Sequence, residues 1–412
     1  MSEVAQVPQL RFPEFSGEWE EKRFDSLYPT VRNGFVGVAT PYYVEEGVPY
    51  LQGKNIKSGA INRNGLVYIN ESFHQKSKKS QLRQNDIVMV QSGHVGECAV
   101  ITEEFEDTNC HALLVSTPTH DIDSKFYINY FYSKFGRKKI YRITTGNTIK
   151  HILSSDLKIQ TVSNPSYQEQ QKIAAFLTAV DNKIEQLSKK KALLGEYKKG
   201  LMQQIFSQAI RFKADDGSAF PVWEEKNIVE LAKTSIGLVT SMTPYYVDKG
   251  VPLIRNNDIF QNKIRKEKLI RLDYEFDQLN KNRRLFTNDI VTVHTGNIGA
   301  SAVIDEELNG CQGFATLNTR IKNQNEISSS FLCWYYNSTR NIKYALSMAT
   351  GDGRSNYNLK DFNKATIPVP SLPEQTKIAA FLTAVDNKIE QVGKQFDESK
   401  QFKKALLQQM FV

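Results

Sequence analysis

A fifteen-residue stretch, KIAAFLTAVDNKIEQ, occurs twice, from Lys172 to Gln186 and again, letter for letter, from Lys377 to Gln391. The offset, 377 − 172 = 205 residues, is almost half of the 412-residue chain. The chain is therefore an internal duplication of two large units, each closed by the same segment, with a period far too long for a solenoid. That segment reads as a helix. Ile173, Leu177, Val180, Ile184, Leu187, Leu194, Leu201 and Ile205 fall on alternating steps of four and three, with Lys191 and Lys198 in the two missing places. The second copy places Ile378, Leu382, Val385, Ile389, Val392, Phe396, Leu406 and Met410 in the same way, interrupted by Ser399 and Lys403. A 3.5-residue apolar period held for about five heptads predicts a coiled-coil seam. Tyr197 and Phe402 would replace the seam lysines if the stripe drifted toward a 3.6 period. Lys189, Lys190, Lys199, Asp181 and Glu185 read as a solvated outer face, so each stripe needs an apolar partner. The other copy is the obvious one; the alternative is a helix packed on its own domain core.

The duplication extends through the rest of the chain. Arg11-Phe12 and Trp19-Glu20-Glu21-Lys22 recur as Arg211-Phe212 and Trp223-Glu224-Glu225-Lys226. TPYYV followed by GVP stands at Thr40–Val44 and Gly47–Pro49, and again at Thr243–Val247 and Gly250–Pro252. Pro, Gly and paired tyrosines predict a turn entering a strand. NDIVMVQSGHVGECAVI from Asn85 aligns with NDIVTVHTGNIGASAVI from Asn288. Two apolar strands flanking a polar loop predict a hairpin. Gly93, Gly96, Gly296 and Gly299 would take backbone angles that other residues avoid. An aromatic helix is expected around 126–135 and 331–344, then a glycine loop, TTGNTIKHI from Thr144 and ATGDGRSNYNL from Ala349. Pro165 and Pro370 precede the long helices, whose first turns carry Glu169 and Glu374, favourable to the dipole. Framework positions match between copies, while the loops differ in their polar side chains. One scaffold thus carries two different surfaces.

Composition allows two or three domains and excludes wholesale disorder. The net charge of +8 suits a polyanion partner without demanding one. No run of eighteen apolar residues occurs, and the polar start MSEVAQVPQL does not read as a signal peptide. Cys98, Cys110, Cys311 and Cys333 show no metal spacing and read as reduced core or surface thiols, consistent with a cytoplasmic protein free of the membrane.

These residues resemble a known family, the specificity subunits of type I restriction–modification systems. The likeness covers the whole chain and rests on the duplicated KIAAFLTAVDNKIEQ helix, preceded by Pro373-Glu374-Gln375 in one copy and Gln168-Glu169-Gln170 in the other, and on the NDIV…G..G segments. It implies α/β (α+β) target-recognition domains, duplicated and joined by long helices in an antiparallel coiled coil, with pseudo-twofold symmetry inside one chain. The expected divisions are 1–165 and 208–370 for the recognition domains, and 166–207 and 371–412 for the helices. Each recognition domain would read one half of a split site in double-stranded DNA. The helices would dock two modification subunits, and through them restriction subunits. By the resemblance this chain carries no cofactor, and S-adenosylmethionine, ATP and Mg belong to those partners. The competing reading is a coiled-coil scaffold whose two globular domains bind proteins.

A catalytic role finds little support in the residues. Asn164-Pro165-Ser166-Tyr167 is one letter from the NPPY motif of adenine methyltransferases, but the second copy has Val369-Pro370-Ser371-Leu372. No glycine loop for a methyl donor and no phosphate-binding loop occurs, so a proline before a helix is the plainer account. His111 beside Cys110, and His94 and His294 in the hairpin loops, lack a second ligand at metal spacing. Bases are read by Arg, Lys, Asn and Gln, and phosphates by Lys, Arg, Ser, Thr and amides near glycine. The candidate DNA contacts of the first copy are Gln52, Lys54 and Asn55; Gln91, Ser92 and His94; and Thr145, Asn147, Thr148 and Lys150. Those of the second are Arg255, Asn256 and Asn257; His294, Thr295 and Asn297; and Arg354, Ser355 and Asn356.

Overall fold

The computed structural model describes residues 7–148, 150–350 and 355–412. The chain forms two compact units, of which the first is assembled from two separate stretches and the second from one. Unit 1 combines the chain up to Ser188 with Lys394–Val412, and unit 2 is Lys189–Gly393.

Unit 1 is built on a four-stranded antiparallel sheet. Its strands are β1 (Thr30–Asn33), β2 (Ile87–Val90), β3 (Cys98–Val100) and β4 (Leu113–Thr117), in the order β1-β4-β2-β3. The IVMV run of β2 is buried throughout, as a central strand covered on both faces requires. β2 and β3 form the expected hairpin, and Gly93 and Gly96 between them have φ of +83° and +82°. A second sheet contains Tyr43–Val44, Val48–Leu51, Val67–Ile69 and Asn109–Cys110; its first strand follows the Thr40–Tyr42 turn, as TPYYV predicts. Behind the main sheet Phe24, Tyr28, Phe126, Tyr127, Tyr130 and Phe131 form an aromatic core, in which Phe24 stacks on Tyr28 at 4.5 Å.

The single aromatic helix expected near 126–135 is two helices, Ser124–Tyr132 and Lys134–Arg142. Ser133 breaks them: it is fully buried, and its hydroxyl accepts a hydrogen bond from the Gly136 amide at 3.1 Å, starting the next helix as an N-cap. A serine can cap or sit within a helix, and only its burial here decides. Unit 2 repeats the plan with Ala232–Ile236, Ile290–Val293, Ser301–Val303 and Thr316–Ile321 in its main sheet, and with helices Ser329–Tyr336 and Thr339–Met348.

Two long helices, Tyr167–Phe206 and Leu372–Gln409, follow the two sheets. Each contributes to both units. In unit 1, Ile173, Ala174 and Leu177 join a core shared with Leu406, Met410 and Phe411, and Lys403 Nζ lies 2.6 Å from Asp181 Oδ1. In unit 2, Met202 and Ile205 share a core with Ile378 and Leu382, and Lys198 lies 2.5 Å from Asp386. Within each unit the two helical segments therefore run antiparallel, and both packing readings hold: the seam pairs helix with helix and also closes a domain core. None of the seam residues, including Val180, Ile184, Leu187, Val385, Ile389 and Val392, is exposed. The drift toward a 3.6 period does not occur. Lys198 and Lys403 stay in the seam, each paired to an aspartate, and Tyr197 and Phe402 are exposed.

All four cysteines are buried and free, which rules out the surface-thiol alternative. Burial pushes Cys110 and Cys311 up to about 12, so these thiols are unreactive packing groups. No helix among the described residues is long and apolar enough to cross a membrane.

Candidate nucleic-acid interface

Strand register gathers the candidate loops at one end of the main sheet. In unit 1, Leu114 at the start of β4 pairs with Asn33 at the end of β1, and Leu113 pairs with Val90 at the end of β2. The loops leaving β1 and β2 thus emerge together. Cys110 pairs with Leu51 in parallel, and the His111 amide donates to Leu51 O at 2.8 Å, which brings Gln52 to the same end. The glycine loop is tied on by backbone bonds. The Ile152 amide donates to Gln91 O at 2.9 Å, and Thr145 and His151 exchange amide bonds at 2.9 Å.

The loops enclose a groove of about 1040 Å³ lined by Lys54, Lys57, Arg137, Lys138 and Lys150 against one acid, Glu97, with Ser92 and His94 on its wall. Burial alone would raise the Glu97 pKa, but the Ser58 amide, Arg137 and Tyr132 hold its carboxylate below the usual range. Arg137 is committed, 2.9 Å from Glu97 and over the Tyr132 ring at 4.4 Å. Gly96 packs against this helix, since a Cβ there would lie 2.8 Å from Ile140. Thr145, Asn147, Thr148 and Lys150 are exposed, and Lys150 lies over the Tyr141 ring at 5.4 Å.

Asn55 is removed from the reading surface. It is fully buried, its Oδ1 accepts from the Gln52 amide at 3.0 Å, and its Nδ2 donates to Asn62 O at 2.9 Å. It shapes the loop. Gln52 is half-buried and donates to the Tyr43 hydroxyl at 2.7 Å, while Lys54 lines the groove.

In unit 2, Leu317 pairs with Ile236 and Thr316 with Val293, so the equivalent loops emerge together. The Tyr357 amide donates to His294 O at 2.9 Å, the counterpart of Ile152 on Gln91, and the Thr295 hydroxyl bonds Asn356. Asn257, Asn297, Ser355 and Asn356 are exposed. Arg255 is a correction of the same kind as Asn55: its Nε lies 3.1 Å from Asp258, a buried carboxylate also bound by Arg265 at 3.3 Å. Asn256 is half-buried, and Arg354 lies outside the described residues. Burial lowers the His294 pKa, leaving a neutral imidazole that can donate or accept. Where unit 1 has Glu97 and Arg137, the matching places hold Ala300 and Ile342. The two faces share a frame and differ in charge.

The remaining motifs have structural work. Asn164 Oδ1 accepts from the Tyr127 hydroxyl at 2.7 Å and from Gln170 at 3.2 Å, so the NPSY segment is a helix entry. His111 Nδ1 sits 3.1 Å from the Tyr50 hydroxyl, and burial lowers its pKa. Lys57, Arg137 and Lys138 were not among the sequence candidates; the basic run KFGRKKIYR (Lys134–Arg142) could have pointed to two of them. The loop leaving β1 reaches the same end of the sheet with an apolar tip.

A family profile described as "Type I restriction modification DNA specificity domain" matches residues 16–195 and 222–396. The type I restriction enzyme MjaVIII specificity subunit of Methanocaldococcus jannaschii is 23% identical over 97% of this chain and 92% of its own length. The type I restriction enzyme StySPI specificity subunit of Salmonella potsdam is 23% identical over 82% of this chain and 75% of its own. In fold, the chain is similar to the type I restriction–modification system S subunit from M. genitalium, with a TM-score of 0.60 and 18% identity, covering 98% of this chain and 99% of that one.

Proposed function

Because this chain belongs to the type I restriction modification DNA specificity family, we propose that each unit reads one half of a split double-stranded DNA site through the loops at its sheet end. The chain is a specificity subunit, non-catalytic in itself, that works with DNA and with methyltransferase and restriction subunits. Residues 1–165 and 208–370 supply the recognition domains, and 166–207 and 371–412 the helices that dock two modification subunits. S-adenosylmethionine, ATP and Mg are held by those partners.

The observation that carries this reading is the groove of unit 1, where five cations face one acid. Lysines on flexible stems contact phosphates wherever the backbone passes and supply sequence-independent affinity. Ser92, His94, Asn147 and Thr148 stand on loops beside them, with the hydrogen-bonding groups that base edges require. In unit 2 His294, Thr295, Asn297 and Asn356 take that place.

The test is binding of duplex DNA by the complex with its modification subunits across a salt series. Replacing Lys54, Lys57, Lys138 and Lys150 by alanine should flatten the dependence of log affinity on log salt by about one unit for each phosphate those lysines neutralise. The methylated sequence should stay the same. Unchanged salt dependence would remove the groove from the interface, and a complex that binds no duplex would leave the protein-binding scaffold standing.

A further inference from the structure

The loop leaving β1 reaches the same sheet end as the groove, yet it offers no charge. Phe35 packs on Phe73 with ring centroids 4.8 Å apart, and Ala39 is buried. Between these anchors Val36 and Val38 are 67% and 75% exposed. Two glycines allow the shape. A Cβ on Gly34 would lie 2.6 Å from Cys110 Sγ, and Gly37 has φ +144°, an angle that disfavours other residues. Unit 2 repeats the frame: Leu238 and Met242 are buried, while Val239, at 62%, Thr240 and Ser241 are exposed. The anchors are apolar in both copies, and the tip changes from Val-Gly-Val to Val-Thr-Ser.

Single exposed valines are ordinary. A rigid frame that buries the residues on either side, holds valines outward beside a polyanion-binding groove, and recurs with another tip is a different matter. Packing within the unit does not account for the tip. Resting on the reading of DNA given above, we infer that this loop is a further base-reading loop, and that Val36 and Val38 recognise thymine 5-methyl groups in the major groove. That methyl is the apolar mark the groove presents, and small apolar side chains are its complement. Burying one methyl is worth about fourfold in affinity. Unit 2, with Thr240 and Ser241 at the tip, offers hydroxyls and is built for hydrogen-bonding edges.

The probe is the duplex that the assembled complex methylates, with each thymine of both half-sites replaced in turn by deoxyuridine, which lacks only the methyl. Wild type should lose about fourfold in affinity for each methyl it touches, at one or two positions confined to one half-site. The V36S/V38S variant, which carries no side-chain methyl at the exposed tip, should show that loss on the unmodified duplex and no further loss with deoxyuridine at those positions. V239T should leave those positions unaffected. The inference is overturned if neither half-site contains thymine, if no deoxyuridine weakens binding, or if the penalty is the same in V36S/V38S. A wild-type complex with no preference for any duplex sequence would instead sink the DNA reading itself, and this inference with it.

Discussion

Glu169 and Glu374 show what a single position can hide. Each stands in the first turn of a long helix, where a carboxylate favours the dipole, but each is also buried. Arg11 grips Glu169 with Nε at 2.7 Å and Nη2 at 2.8 Å, and the Trp19 indole donates at 3.2 Å. Arg211 and Trp223 hold Glu374 likewise, at 3.1, 2.7 and 2.9 Å. Glu169→Gln or Glu374→Gln leaves an arginine facing a neutral group in a largely dry site, and should destabilise its unit by about 3 kcal/mol. Urea unfolding followed by tryptophan fluorescence measures this, and a loss below about 1 kcal/mol would make the pair incidental. The Arg, Trp and Glu positions all recur in the sequence, so the repeat was legible, but their meeting was not, because roughly 150 residues separate them. Asn55 fails in the opposite direction: its residue type is right for reading bases, and only burial shows that both its polar groups are spent. His294 yields a pH prediction. Burial depresses its folded pKa, so the unfolded chain binds the proton more readily. The stability it contributes is complete above the unfolded value near 6.5 and is lost as pH falls from there toward the folded pKa. His294→Gln should reduce the loss of thermal stability between pH 7.5 and 5.5, and an unchanged profile would contradict this.

Among the elements, the long helices were the most legible, because a 3.5-residue period over many turns has few competing explanations. Two of the lysine interruptions, Lys198 and Lys403, proved to belong to the seam, satisfied by Asp386 and Asp181, while Lys191 is exposed. Which stretch of helix packs on a domain core and which only on another helix was not legible, since the same apolar stripe serves both. Leu177 and Leu382 fall in the first class, each fully buried in its unit's core. Leu177→Asp or Leu382→Asp forfeits burial worth about 1.5–3 kcal/mol and adds the cost of a dry carboxylate. Unit 1 should unfold with the first and unit 2 with the second, seen as lost cooperativity in thermal denaturation. A folded chain with altered sequence preference would mean instead that these leucines read DNA. The short helices were the least legible, because the break between the aromatic and the basic helix depends on the burial of Ser133.

At the scale of the whole molecule, the two units differ in one covalent respect. In unit 2 the chain runs on from Phe206 through 207–210 to Arg211, and the Ile210 amide donates to Gln204 O at 3.2 Å. In unit 1 the matching bond runs from the Leu10 amide to Gln409 O at 2.9 Å, between segments almost 400 residues apart in the chain. The side chains match as well. Phe206 packs on Phe331 and Tyr335 at 6.0 and 5.6 Å, and Phe411 packs on Phe126 and Tyr130 at 5.3 and 6.2 Å. Arg11, a few residues beyond, enters its clamp as Arg211 does. Unit 1 therefore holds two chain segments where unit 2 holds one continuous connection, and nothing in the packing depends on which of the two is covalent. A permuted chain tests this: Phe411 followed by the Ser207–Ile210 sequence and then Arg11, with new ends opened between Gln208 and Ala209, both exposed. Both units keep their cores and clamps in this chain, so it should fold to within about 1 kcal/mol of the parent, a difference expected from exchanging one short closed loop for another. In the complex with its modification subunits it should methylate the same split sequence. A permuted chain that fails to fold, or that folds and marks a different site, would show that the connection at 207–210 does more than join two segments.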